Sequence, residues 1–308
     1  MQLDFSHPDY AELQPVRTEI ERRLAGDEGI RTTFPAVVSS AVDYVIDSVR
    51  TGRTLIRELD NVEKTIIGLK VEHFVRDWLG VPPGIRDLDL SGHDVDVKNT
   101  VNDNWMIPPE TYNEVRGDGA EPGGTCLLIR INEESNRCWL GLVRVRQSYL
   151  NAPNRDGKRS MAAAAMKNIM WLVEGEPYQE GHWQAFDMKR FRELRELRGG
   201  NKRAAAFFSE NLSKPVHRSV VLALLHDQLD PMKRLRWNSG AKPRLWENNI
   251  ALLSGKYFSA QAERLGFAGL RPDQFVAIKL DVEQRAFLEA TGYTTVDDDP
   301  VAESEHGL

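Results

Sequence analysis

Little in this sequence would tie the fold together covalently or place it in a membrane. Cysteine occurs only as Cys126 and Cys138, too few for a disulfide framework and without the Cys-x-x-Cys spacing of a zinc site, so both read as packing residues. No run approaches the roughly 20 apolar residues of a membrane span, and Met1 to Pro8 has no basic stretch leading into an apolar one, as a secretion signal would. The expectation is a protein of the cytoplasm with no membrane partner. An excess of positive charge is missing too. The 308 residues carry a formal net charge of −6, which taken as a whole argues against a nucleic-acid partner. Distribution matters more than the sum. Between Asn201 and Leu245 nine basic residues stand against three acids, a local net charge of +6. The balancing acids gather after Asp281 and include Asp297, Asp298, Asp299, Glu303 and Glu305. That stretch has so little apolar content that it is expected to fray.

The length suits two domains of roughly 150 residues each, and the expected division is 1–167 and 168–308. In the first, residues 11 to 25 place Leu13, Val16, Ile20 and Leu24 at helical spacing, and residues 36 to 49 do the same with Val38, Val42, Val45 and Val49. A third helix is predicted from about Val62 to Leu79, stopped by Gly80 and the Pro82-Pro83 pair. From Ile85 the period changes to two. Leu88 and Leu90 alternate with Asp87 and Asp89, Ser91-Gly92-His93 turns the chain, and Val95 and Val97 alternate with Asp94, Asp96 and Lys98. The pattern is a β-hairpin with an acidic face. Strands are also predicted over Thr125 to Ile131 and Arg137 to Arg146, then a helix over Ala162 to Ile169. Helices followed by strands make the first domain mixed α/β or α+β. The second reads as short helices, over Met188 to Leu197, over Lys202 to Leu212 and from Lys214 through Leu225, then strand-like segments over Ile250 to Leu253 and Gln274 to Leu280. Such an order suits a helix-turn-helix of the winged variety. No internal repeat is evident.

Asp96 and Lys98 are two apart on a strand, so their side chains leave the same face. A carboxylate there can hold a hard divalent cation through oxygen, and an ammonium beside it can orient an attacking water and neutralise charge on a phosphate. Asp-x-Lys is by itself a common triplet on solvated strands. Its surroundings raise its value: Asp87 or Asp89 can add a second carboxylate from the neighbouring strand, and Glu72 lies one turn after Gly68 on the preceding helix.

Several strings taken together resemble the NaeI-like type II restriction endonucleases. They are Val62-Glu63-Lys64-Thr65-Ile66-Ile67-Gly68-Leu69-Lys70-Val71-Glu72, Asp87 through Gly92, Val95-Asp96-Val97-Lys98, and Trp105-Met106-Ile107-Pro108-Pro109-Glu110. The likeness continues through Asn154-Arg155-Asp156-Gly157-Lys158-Arg159, Arg218-Ser219-Val220-Val221 and Met232-Lys233-Arg234, and so covers about 60 to 280. The resemblance implies a restriction-endonuclease-like first domain, related to the mismatch-repair nuclease MutH, with a catalytic set at Glu72, Asp87, Asp96 and Lys98. Glu72, Asp87 and Asp96 would hold Mg2+. It implies a homodimer as well, and a C-terminal winged-helix-like domain that binds a second DNA copy and so activates cleavage. A cognate DNA methyltransferase follows from that role. Two positions depart from the pattern or blur it: Val97 stands where the family has Cys, and Asp89 competes with Asp87.

A two-fold dimer fits double-strand cleavage, because two sites related by symmetry can cut the two strands of a palindrome. Arg155, Lys158 and Arg159 are candidates for DNA contact near the cut, and Arg218, Lys233, Arg234 and Arg236 in the second domain. His217 and His226 read as surface or capping residues. Trp237 and Trp246 read as core. Two other functions share much of this reading, a MutH-like repair nickase and a winged-helix regulator without catalysis. Gathered carboxylates, which repel phosphate unless a metal lies between them, count against the regulator.

Overall fold

Asp60 starts the helix that carries Glu72. Its carboxylate accepts from the N–H groups of Val62 and Glu63 at 2.8 Å each, and Glu63 returns a 2.8 Å acceptor to the N–H of Asp60. This capping box satisfies donors that the first turn leaves open. Ile67, Val71, Val75 and Leu79, four apart, bury one stripe, and Gly80 ends the helix at φ 62°, a conformation that glycine adopts without strain. In the computed structural model, which describes residues 9–115, 121–178 and 181–294 with Phe5 and His7, the chain divides into two units. One comprises Met1–Asp47 and Arg53–Gly181, the other Ser48–Gly52 and His182–Leu308. None of the described helices is long and apolar enough to cross a membrane.

The first unit begins with α1 (Tyr10–Arg23) and α2 (Gly26–Ile46). The second helix starts ten residues before position 36 and runs through Pro35. Pro35 removes a backbone donor at a cost of about 3 kcal/mol, while Ile30 and Phe34, both fully buried, offset this with about 1.5–3 kcal/mol each. The helix stops at Ile46, so Val49 falls instead in the single turn α3 (Ser48–Thr51) and packs on the second unit's core. After α4 (Asn61–Leu79) come β1 (Leu88–Leu90), β2 (His93–Thr100), β3 (Met106–Ile107), α5 (Pro109–Tyr112), β4 (Thr125–Asn132), β5 (Arg137–Arg144), β6 (Arg159–Ser160) and β7 (Met170–Pro177). Five strands form one sheet in the order β1-β2-β4-β5-β7, with β2 and β4 parallel and the other pairs antiparallel. The sheet is mixed, as the α/β expectation requires. Leu127, Ile129 and Ile131 of β4 face the helices, while Cys126 and Leu128 face Trp105, Ile107 and Tyr112. Both cysteines are free and buried, as packing residues should be.

Two segments differ from the expected first domain. Ala163–Asn168 is a 3-10 helix and not an α-helix, and Met170–Pro177 is a strand that pairs with β5. The unit therefore continues to Gly181, past the expected boundary at 167. An apolar run such as Met170-Trp171-Leu172-Val173 has no period of its own, and pairing with β5 decides its form.

The second unit contains α6 (Met188–Arg195), α7 (Gly200–Glu210), β8 (Val216–His217), α8 (Arg218–Leu224), α9 (Lys242–Glu247), β9 (Ile250–Ser254), α10 (Ser259–Arg264), β10 (Gln274–Lys279) and α11 (Val282–Ala290). β8, β10 and β9 make an antiparallel sheet in that order. The helix expected from Lys214 begins only at Arg218, because Val216 and His217 pair with β10 and the His217 ring caps α8 by accepting from the N–H of Ser219. Trp237 and Trp246 pack around Tyr293 in an aromatic cluster with Phe258. The stretch after Asp281 is not all frayed. Asp281 and Gln284 form a capping box, and Leu288 and Tyr293 are buried, so residues 282–290 are helical. Asp297, Asp298, Asp299, Glu303 and Glu305 lie outside the described residues.

Candidate active site

The hairpin places Asp87 against Asp96. Leu88 pairs with Val95 and Leu90 with His93, and the connecting Ser91 and Gly92 take φ of 55° and 87°, the left-handed pair that a two-residue hairpin turn requires. Asp87, just ahead of β1, accepts from the backbone N–H of Val97 at 2.6 Å. Asp89 is directed elsewhere: it accepts from the N–H of Gly92 at 2.7 Å and stabilises the turn. Of the two alternatives, Asp87 is the one beside Asp96.

Asp96 is only 4% exposed and holds three neighbours. The Lys98 ammonium donates to Oδ1, the Thr111 hydroxyl donates to Oδ2 at 2.5 Å, and the Asp87 carboxyl shares a hydrogen bond with it. Burial pushes the Asp87 carboxyl up to about 7, helped by the adjoining Asp96 and by the charge of Glu72 and opposed by the Val97 N–H. Burial acts on Asp96 as well, but the hydrogen bonds from Asp87, Lys98 and Thr111 outweigh it and hold Asp96 below the usual carboxylate range. Two carboxyl groups thus adjoin at this site, and the Lys98 ammonium is in direct contact with one of them. Val97 is buried in the core against the helices.

Glu72, Asp87, Lys98, Asn99 and Lys158 line one cleft of about 610 Å3 in the first unit. The Asn99 amide oxygen is buried there without a hydrogen bond. Glu72 influences Asp87 through charge alone, and among the described residues no three His, Cys, Asp or Glu side chains converge as a metal cage. Arg155 is exposed on its loop. Arg159 is turned back, donating to the carbonyls of Asn151 at 2.6 Å and Leu150 at 3.3 Å and lying 5.4 Å from the Tyr112 ring. In the second unit the basic candidates separate. Arg218 and Arg236 line one cavity, Arg234 lines another with Arg198, Lys202 and Arg244, and Lys233 is exposed. Thr111 and Asn99 carry no signal in the sequence, since Thr111 lies 15 positions from the Asp96 it holds.

The family model for restriction endonuclease NaeI matches residues 22–297. The type II restriction enzyme NaeI of Lentzea aerocolonigenes is 27% identical over 326 aligned positions, spanning 98% of this chain and 96% of that enzyme. The match runs through the hairpin of Asp87 and Asp96 and on into the second unit, so the likeness is of the whole molecule. The chain belongs to the NaeI family of restriction endonucleases, site-specific nucleases of DNA.

Proposed function

We propose that this chain makes Mg2+-dependent double-strand breaks at a short specific DNA sequence, with Glu72, Asp87, Asp96 and Lys98 as its catalytic set. The observation that carries the reading is the Asp87–Asp96 pair beside Lys98 at an open cleft. Mg2+ is commonly bound by one or two carboxylates with water completing its shell, so the pair fits it without a full protein cage, and Glu72 adds charge from α4. When bound, Mg2+ supplies charge stabilisation to the scissile phosphate and an acidified water. Lys98 orients the attacking water and neutralises charge on the phosphate. Asp96 fixes the Lys98 ammonium, and Thr111 fixes Asp96. Lys158, on the same cleft, is placed to meet the DNA backbone, with Arg155 beyond it; Arg159 contributes through its hold on the loop.

The first unit reads as a restriction-endonuclease-like fold related to MutH. The second reads as a winged-helix-like module, since its three-stranded antiparallel sheet accompanies the short helices α7 and α8. Arg218, Lys233, Arg234 and Arg236 are its DNA contacts, and a second DNA copy bound there activates the cut. Homodimerisation is supported by Val62, Ile66 and Leu69, an exposed apolar stripe on α4 at 72%, 39% and 54%. The enzyme would act in the cytoplasm beside a methyltransferase that protects the host's own sites.

Purified protein with Mg2+ should convert plasmid to linear fragments with uniform, sequenceable ends. Nicked circles alone would point to a repair nickase, and retarded but intact DNA to a regulator. Thr111→Val keeps the side-chain shape while removing the hydroxyl, and should lower cleavage by about 10–100-fold with the melting temperature little changed. Unaltered cleavage in that variant would mean that Asp96 needs no such support.

A further inference from the structure

The cavity lined by Arg218 and Arg236 is too small for duplex DNA. Its volume is about 400 Å3, within the range of about 300–1,000 Å3 found for small-molecule sites. As a sphere it would be roughly 9 Å across, the scale of one small ligand and not of a duplex. Four of its lining residues are basic, Arg218, Arg236, Lys242 and Lys256, and one is acidic, Asp230. Lys242 is 2% exposed. Its ammonium lies 4.4 Å from the Phe258 ring centroid and 4.9 Å from that of Tyr293, where aromatic faces compensate part of the lost hydration. A cation kept so far from bulk water attracts an anion more strongly than one on the surface. Apart from Ser254 the rest of the lining is apolar or aromatic and includes Tyr257 and Phe275, flat surfaces of the kind on which bases stack.

We propose that this cavity binds one nucleotide, its phosphate on the basic residues and its base against the aromatic ones. The nucleotide comes either free or as the 5′-phosphorylated end of a DNA strand. The proposal deepens the reading of Arg218 and Arg236 as DNA contacts and is tested without cleavage.

Full-length protein in EDTA is titrated calorimetrically with deoxyadenosine 5′-monophosphate, and separately with deoxyadenosine and with inorganic phosphate. The expected result is one saturable nucleotide per chain, bound more tightly than either half, with affinity lowered at least tenfold in Lys256→Glu, an exposed position that spares the core. Lys242→Met, checked by its melting curve, should give a similar loss. Absence of saturable binding at millimolar nucleotide, or equal affinity in Lys256→Glu, overturns the proposal. A DNA hairpin bound more tightly with a 5′-phosphate than with a 5′-hydroxyl, a preference lost in Lys256→Glu, identifies the strand end as the source. Equal hairpin binding alongside tight monophosphate binding identifies the free nucleotide. The nuclease reading is judged by cleavage in Mg2+ and is untouched by a negative titration.

Discussion

Lys98→Ala and Asp96→Ala should each reduce DNA cleavage by about 10^3-fold or more, the scale of losing a positioned charge or proton carrier at a reacting phosphate, while DNA binding in EDTA persists. The two losses should be far from additive. The Lys98 ammonium is held by Asp96, so removing the acid also releases the base, and the double variant should be little worse than either single one. Stability should respond differently from activity. Asp96→Ala removes the partner of the Thr111 hydroxyl and of the Lys98 ammonium but also relieves the half-buried Asp87 of a neighbouring acid. These effects oppose each other, so its melting temperature should stay close to the wild type's. Plasmid cleavage and thermal melting on the same preparations separate lost chemistry from lost fold; residual cutting within tenfold of wild type by Lys98→Ala would remove Lys98 from the catalytic set.

The largest stability effect away from the cleft is expected at Arg203. It is 3% exposed and binds Asp227 with two hydrogen bonds, at 2.6 and 3.1 Å, while also donating to the carbonyls of Leu197 at 2.8 Å and Leu224 at 3.0 Å. Those two carbonyls belong to the segments on either side of α7, so the guanidinium ties α7 to both. Arg203→Ala leaves both without that donor, at a cost of about 3 kcal/mol. The melting midpoint of the second unit should then fall by about 6–12 °C. Asp227→Ala removes the other half of the ion pair yet should cost less than about 1 kcal/mol, because the Asp227 side chain is 45% exposed and Arg203 keeps its carbonyl acceptors. Equal losses from the two substitutions would show that the ion pair, and not the carbonyl bonds, carries the effect.

Much of the site was legible because it is local. Asp87, the Ser91-Gly92 turn, Asp96 and Lys98 lie within a dozen residues whose alternation shows in the sequence, and α4 announces itself by its stripe and by Gly80. The family strings then told this hairpin from any other acidic one. The choice between Asp87 and Asp89 was not legible, since alternation puts both on one face; the backbone leaves the strand just before Leu88 and turns Asp87 toward Val97 while Asp89 serves the turn. Thr111 was hidden for a different reason. Nothing in a single Thr before a Tyr reports an acid on a distant strand. β7 and α11 escaped because their form is set by what they pack against: β5 for the one, and for the other a few buried side chains among many charged ones.

The parallel pairing of β2 with β4 has a consequence for the life of the enzyme in its host. Parallel neighbours cannot be joined by a tight turn, so the chain must travel from Thr100 to Thr125 before β2 gains its second partner, and Thr111 rides on that excursion. Contacts closed over such distances form slowly compared with a hairpin. The Asp87–Asp96 hairpin can form early from local sequence, but the hydroxyl that steadies Asp96 arrives only when the crossover has closed. On the proposed catalytic set, a growing or partly unfolded chain carries the acids without Thr111 in place, so cleavage of DNA should appear only once the first unit is complete.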